Sequence, residues 1–465
     1  MGWRRNIYAA LTCACCLALA PGVMQAQSSE QRVSLDEARI LANRLTDIGQ
    51  PAAAREIALG VLQANPRDVQ ALVALARAEL ALGRIEAAER AAQAALTSAT
   101  SQSDRFLASL MVADVFARTD RFTRSQLWLR RAQELAANDA QERVVANAYQ
   151  RVRQVNPFSM QLAFGLQPSN NVNSGNSNDS VTFAYLPGVF GTIPWALPAD
   201  DRPLSGIQVS FDGSFRYRIA ASATSQTNLD FGIYARTYIM SSSAKAAAPD
   251  VTGESLSYGD LSVGIAHQWV PEGTTSRQYG VSLDYEQGFT ADGPLSHRLT
   301  ADFSVEQLVG EADRLSFGIS LEGAEHFASD ATSLTTRLRG RWLHGFGNGQ
   351  SITTSATLAR ATSDDQNRDF TSGSLGVTYN FGEVLPQIDL ATTIQAEWRS
   401  FDSVTLDPSG RDDLTTSVQL AAGFGNLEVF GFEPVATLRL QRNDSSVPFY
   451  ETESVTFGVD FRSSF

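Results

Sequence analysis

The chain has 465 residues, of which 43% are apolar and only 19% charged, with a formal net charge of −13 and a pI near 4.9. A length of this order leaves room for one large domain and a smaller one, and the acidic balance argues against a nucleic-acid partner. A mean hydropathy of −0.14, with no apolar run of 18 residues beyond the N-terminus, excludes a helical membrane protein, whereas a transmembrane β-barrel averages to such a bland value because its strands alternate.

Residues 1–26 read as a cleaved secretory signal peptide. Arg4 and Arg5 give the positive start, Ile7 to Ala20 the apolar core, Pro21-Gly22 its end, and Met24-Gln25-Ala26 a small residue for cleavage. All three cysteines, Cys13, Cys15 and Cys16, fall inside this segment. The mature chain is therefore expected to carry no disulfide, thiolate ligand or cysteine nucleophile. The cysteines lie too early, and lack the small-residue context, for a lipoprotein cleavage site.

From residue 34 to residue 156 the sequence is rich in Ala, Leu, Arg, Glu and Gln with helical periodicity. Ala38, Leu41, Ala42, Gly49, Ala54, Ala58 and Val61 return 34 residues later as Leu72, Leu75, Ala76, Gly83, Ala88, Ala92 and Ala95. A weaker third copy follows a short insertion, with Phe106, Val112, Ala113 and Phe116 on its first helix and Leu129 and Ala132 on its second. Asp120 stands where the earlier copies have glycine. A last helix runs from about Ala140 to Val155, where Asn156-Pro157 stops it. The pattern resembles the tetratricopeptide repeat family. That resemblance implies a concave groove that binds peptides, lined by first-helix positions that include Arg39, Asn43, Arg77 and Asp114; the same residues would also suit a solvated face.

Beyond Pro157 the period changes from 3.6 to 2. Ile207, Val209, Phe211, Phe215 and Tyr217 alternate with Gln208, Ser210, Asp212, Ser214 and Arg216, and Leu315, Phe317, Ile319 and Leu321 with Ser316, Gly318, Ser320 and Glu322. About 14 such segments begin near residues 158, 206, 226, 256, 276, 297, 313, 332, 350, 370, 387, 412, 434 and 453. Many are longer than soluble strands and suit a bilayer crossing. The fold class expected is α+β multidomain: a helical-repeat solenoid over 34–156, then an antiparallel transmembrane barrel over 157–465.

An arginine on the lipid face costs about 2–4 kcal/mol near the midplane, so Arg337, Arg339 and Arg341, opposite Leu338 and Trp342, are assigned to the lumen. They serve either as a polar inner wall paired with carboxylates or in gating and passage. Connections are expected to alternate, with longer, polar outer loops such as Ser241–Glu254, Thr362–Asp369 and Asp402–Arg411, and short periplasmic turns such as Pro271-Glu272-Gly273 and Gly345–Gly349. The last strand ends Phe457, Val459, Phe461, Ser463, Phe465 on one parity. Phe461 and Phe465 resemble the signal that outer-membrane proteins present to the barrel-assembly machinery.

No catalytic constellation is legible. His267, His297, His326 and His344 are scattered without metal spacing, and no phosphate loop or dinucleotide fingerprint occurs. His267 falls on the lipid-facing parity near Trp269, which suits an aromatic girdle better than a membrane-facing active site. No enzyme, metal or cofactor is expected.

Repeats fused directly to such a barrel resemble the surface lipoprotein assembly modifier (Slam) family over essentially the whole mature chain. The most specific stretch is the junction NPFSMQLAFGLQPSNNVNSG, with Asn170, Asn171 and Asn173. The resemblance implies an outer-membrane translocator, its repeats in the periplasm, that assists export or surface display of client lipoproteins or secreted binding proteins. The partners implied are outer-membrane lipid, the barrel-assembly machinery, the client and a periplasmic chaperone. A polysaccharide exporter of the repeat-plus-barrel type and a passive porin with a periplasmic scaffold domain are the alternatives.

Overall fold

The computed structural model describes residues 33–182, 194–429 and 431–464. The expected signal peptide, with its cysteines, and Phe465 lie outside the described residues.

Seven helices come first: α1 (Leu35–Asp47), α2 (Pro51–Ala64), α3 (Val69–Ala81), α4 (Ile85–Ser98), α5 (Gln102–Ala117), α6 (Phe122–Glu134) and α7 (Asp139–Val155). Local chemistry sets their starts. Ser34 forms a reciprocal capping box with Glu37, and Asp68, Ser101 and Asn138 accept backbone N–H groups at the starts of α3, α5 and α7. Each of the first three helix pairs turns on a left-handed residue: Gly49 at φ 78°, Gly83 at φ 74° and Asp120 at φ 57°. Glycine takes that conformation freely and aspartate tolerates it. Ala42, Ala54, Ala58, Ala74, Ala76, Ala88, Ala92 and Ala95 are all buried, which lets successive helices approach closely. Leu41 stays exposed, because among the described residues α1 is the first helix of the stack and only its other side is covered.

The remainder closes into an antiparallel barrel in which each barrel strand pairs with the next in chain order and the last pairs with the first. Its fourteen strands are β1 (Phe158–Ser169), β4 (Gly206–Ala221), β5 (Ser225–Met240), β6 (Tyr258–Trp269), β7 (Arg277–Thr290), β8 (Gly293–Val309), β9 (Asp313–His326), β10 (Ala331–Gly345), β11 (Ser351–Ser363), β12 (Phe370–Leu385), β13 (Ile388–Phe401), β14 (Arg411–Phe424), β15 (Glu433–Ser445) and β16 (Thr452–Ser464). A small hairpin, β2 (Ser180–Val181) with β3 (Trp195–Ala196), lies in the first long loop, and a short helix, α8 (Ser242–Ala247), in the next. Since α7 leads straight into β1, the rim where β1 begins and β16 ends is called the near rim and the opposite one the far rim.

Strand starts fall within four residues of the alternation pattern. The largest displacement is β8, which begins at Gly293 (φ 125°) because Ala291 and Asp292 alone join it to β7. That far-rim hairpin breaks the expected alternation of loop lengths. The far-rim connection 327–330 is also short and the near-rim connection 425–432 long, whereas 241–257 and 402–410 on the far rim and 222–224 and 310–312 on the near rim follow the pattern.

The outer wall is apolar and uncovered. Phe317 is 59% exposed and Leu375 64%, values a soluble core would not permit. On β9 this band lies between Asp313, bonded to Trp342 and His344, and Glu325, paired with His297. Twelve residues at about 3.3 Å each, tilted by about 40°, span roughly 30 Å along the barrel axis. Girdle aromatics mark both edges: His267, Trp269 and Tyr279 stack at 5.5–5.6 Å near one rim, and Tyr285, His297 and Phe327 gather near the other. His267 Nδ1 meets Thr227 Oγ1 at 2.8 Å within the first girdle.

Candidate functional site

Helical register brings the groove residues together. Asn43, Arg77 and Asp114 occupy equivalent positions of α1, α3 and α5, and they wall one cavity of about 440 Å³ with Gln70, Val73, Leu107, Leu110 and Met111. Arg77 Nη1 donates to Asn43 Oδ1 at 2.8 Å and its Nη2 reaches Asp47 at 2.7 Å. A second cavity of about 600 Å³ continues from Leu110 and Asp114 past Ala117, Phe122, Leu129 and Val152 to Val155. Arg118 and Arg151 border it, with Arg118 3.5 Å from Asp114. Both volumes are in the range of ligand pockets, and an apolar floor with polar edges suits an extended peptide.

Arg39 is not among the lining residues. Its guanidinium grips the buried Asp68, with Nε 3.0 Å from Oδ2, while the same carboxylate caps Ala71 N at 3.0 Å. Asp68 holds the arginine's pKa above its ordinary value, so Arg39 braces α1 to the start of α3. The floor residues Leu110, Met111, Phe122 and Val152 were not singled out from the sequence. For Leu110 and Met111 the signal was an apolar side chain on the same first helix as Asp114.

The second cavity ends at the barrel. Asn156 donates through Nδ2 to Gln126 Oε1 and, at 3.3 Å, to Thr123 Oγ1, and its Oδ1 accepts Phe158 N at 3.1 Å. Arg218 of β4 donates through Nη2 to the carbonyls of Gln154, Val155 and Asn156 at 3.1–3.3 Å, capping the end of α7. Arg130 of α6 donates to Tyr149 Oη at 3.0 Å and to Ser463 Oγ of β16 at 3.3 Å. Gly431, at φ 81°, packs against the same guanidinium, which occupies the space that a Cβ there would need. The repeats are thus seated on the near rim beside β16, β1 and β4.

Within the lumen, Arg337 makes a two-bond pair with Glu322 at 3.1 and 3.3 Å, and Arg339 pairs with Asp302. Arg341 has no ion-pair partner among the described residues. Two of the three therefore form a neutralised wall. Among the described residues no group of three or more His, Cys, Asp or Glu side chains could hold a metal ion.

The asparagines of the junction fasten the far rim. Asn170 Oδ1 accepts Val455 N at 2.8 Å, and Asn171 Nδ2 donates to Gly175 O at 2.8 Å and Glu453 O at 3.0 Å. Asn173 joins Asp200 O, Arg202 O and Leu204 N at 2.8–2.9 Å. Asn176 Nδ2 donates to Pro448 O at 2.6 Å.

No family model matches the chain, and no curated relative matches it. Among solved structures, the Yersinia enterocolitica type III secretion translocator chaperone SycD is 15% identical, covering 26% of this chain and 88% of its own, with a TM-score of 0.23. Acinetobacter baumannii OccAB3 is 8% identical over 67% of this chain and 100% of its own (TM-score 0.33). A BenF-like porin from Pseudomonas fluorescens Pf-5 is 10% identical over 66% and 99% (TM-score 0.35). Likenesses this distant carry no argument about what the chain does, and the architecture rests on the pairing described above.

Proposed function

We propose that the chain is an outer-membrane translocator that assists export or surface display of client proteins, either surface lipoproteins or secreted binding proteins, as the Slam resemblance implies. The repeats face the periplasm and receive an extended client segment, directly or from a chaperone, and the barrel carries it across. The observation that supports this reading is continuity: the apolar groove ends at Val155, three residues before the first strand residue, Phe158. A solute porin has no need of a peptide groove at its mouth. A polysaccharide conduit would call for aromatic and acidic surfaces, whereas the groove floor is aliphatic apart from Phe122.

The test is deletion of the gene with complementation, comparing surface proteins by protease shaving and mass spectrometry. Loss of one or a few surface lipoproteins or secreted proteins, with total levels kept, supports the reading. An unchanged surface proteome with altered capsule or matrix sugar rejects it in favour of the polysaccharide exporter.

A further inference from the structure

Among the described residues, the ladder between β1 and β16 is the shortest in the wall. It carries seven register pairs, against eleven to fifteen in each of the other thirteen ladders. Pairing runs from Gln161↔Ser464 to Leu166↔Val459, is lost at Gln167 and Pro168, and returns only at Ser169↔Thr456. Proline has no N–H to give a ladder and is normally confined to sheet edges. On its other side β1 pairs with β4 at all twelve positions, Pro168 included, so the strand itself is regular and the defect belongs to the seam. A side-chain bridge, Gln167 Nε2 to Asp460 Oδ1 at 3.1 Å, spans the gap on the lumen side.

The gap lies close to the far-rim end of the seam, and groups outside the ladder fasten both of the seam's ends. At the far rim, Asn170, Asn171 and Asn176 clip the start of loop 170–205 onto β16 and the turn before it. At the near rim, Arg130 of α6 holds Ser463. Arg130 follows Leu129, which lines the second groove cavity, and it also binds Tyr149 of α7, the helix whose Ala148, Arg151, Val152 and Val155 line that cavity from the other side. A segment that fills the cavity and parts α6 from α7 therefore acts on a residue that is bonded to the end of β16.

We propose that the β1–β16 seam is a lateral exit, unfastened when the groove is occupied, through which a lipid-anchored client keeps its acyl chains in the bilayer while its polypeptide follows the polar lumen. This rests on the translocator reading and narrows its client to a lipoprotein. Acyl chains have no place on a lumen wall of Arg, Asp, Glu, Ser and Thr, whereas the outer wall is apolar on both sides of the seam, with Phe164 and Leu166 on β1 and Val455 and Phe457 on β16.

The test uses the full chain in its native outer membrane. Leu166 and Val459 are register partners on the lipid face, and Leu338 and Leu358 are the equivalent pair between β10 and β11. The only native cysteines are Cys13, Cys15 and Cys16, so L166C/V459C and L338C/L358C introduce the only other thiols. Surface lipoproteins are measured by protease shaving with each pair oxidised and then reduced. Oxidation of L166C/V459C is expected to lower surface arrival at least tenfold, to the level of the gene deletion, with recovery on reduction; L338C/L358C is expected to change it less than twofold. Full surface arrival with the seam locked overturns the lateral exit while leaving the translocator intact, whereas a deletion strain with a normal surface overturns both. Hydrogen exchange of the unlocked protein in detergent gives a client-free measure. Backbone amides of 456–459 should exchange at least tenfold faster than those of 351–360, and equal rates overturn the proposal.

Discussion

Replacing Arg218 by alanine removes one guanidinium nitrogen that serves three backbone carbonyls at the end of α7. A hydrogen bond from a charged group contributes about 1.5–3 kcal/mol when well made, and a cation at a helix C-terminus about 0.3–1 kcal/mol. All three bonds here are longer than 3 Å and partly solvated, so a value around and somewhat below the low end of the first range applies, about 1–2 kcal/mol. That corresponds to roughly a 5–30-fold rise in the population with the end of α7 released from the rim. The assay is hydrogen exchange of the full-length R218A protein in detergent. Amides near residues 150–156 should lose protection by that factor, while those of 351–360 keep theirs. Unchanged protection at α7 would refute the reasoning, because it would mean that the Asn156 network with Gln126 and Thr123, together with the Arg130–Ser463 bond, holds α7 without it.

Other consequences follow from the same structure. D120G should leave the helical domain as stable or slightly more so, because the φ of 57° suits glycine, whereas G83V should cost about 1–2 kcal/mol at an equivalent turn; circular-dichroism melts of the full chain compare them. Glu89 is held below the ordinary carboxylate pKa first by its hydrogen bond to Arg121. Its contribution is therefore present at neutral pH and lost as pH falls from about 4.5 toward the lowered folded value, and E89Q should flatten the acid limb of the helical melt. On the wall, Leu358→Arg faces lipid and should cost about 2–4 kcal/mol in barrel stability, whereas Thr357→Arg faces the lumen and should cost much less; urea unfolding in liposomes reads the difference.

The barrel was legible because its two faces have opposite solvents, so a period of 2 marked thirteen strand starts closely and β8 less well. There the turn is only Ala291-Asp292, so the ladder resumes at Gly293-Pro294 before the alternation of apolar and polar residues does. The helical pairs were legible because close packing demands alanine at fixed spacing, and even Asp120 kept the conformation of the glycines it replaces. Register alone placed Asn43, Arg77 and Asp114 on one surface. It could not tell that Arg39 turns aside to Asp68, since that choice depends on a carboxylate 29 residues away. Nor could it reveal the seam or the rim contacts. Arg130 and Ser463, 333 residues apart, are ordinary polar residues until closure of the barrel brings them together.

The most direct measurement places a charge in the groove floor of the full chain, Leu110→Arg or Val152→Arg, and compares surface proteins by protease shaving with those of the gene deletion. Heat-modifiable migration on gels verifies that the barrel is folded. Loss of the same surface proteins as in the deletion, with a folded barrel and unchanged total levels, is the expected result. A normal surface with either variant would contradict a path that begins in the groove and continues through the barrel.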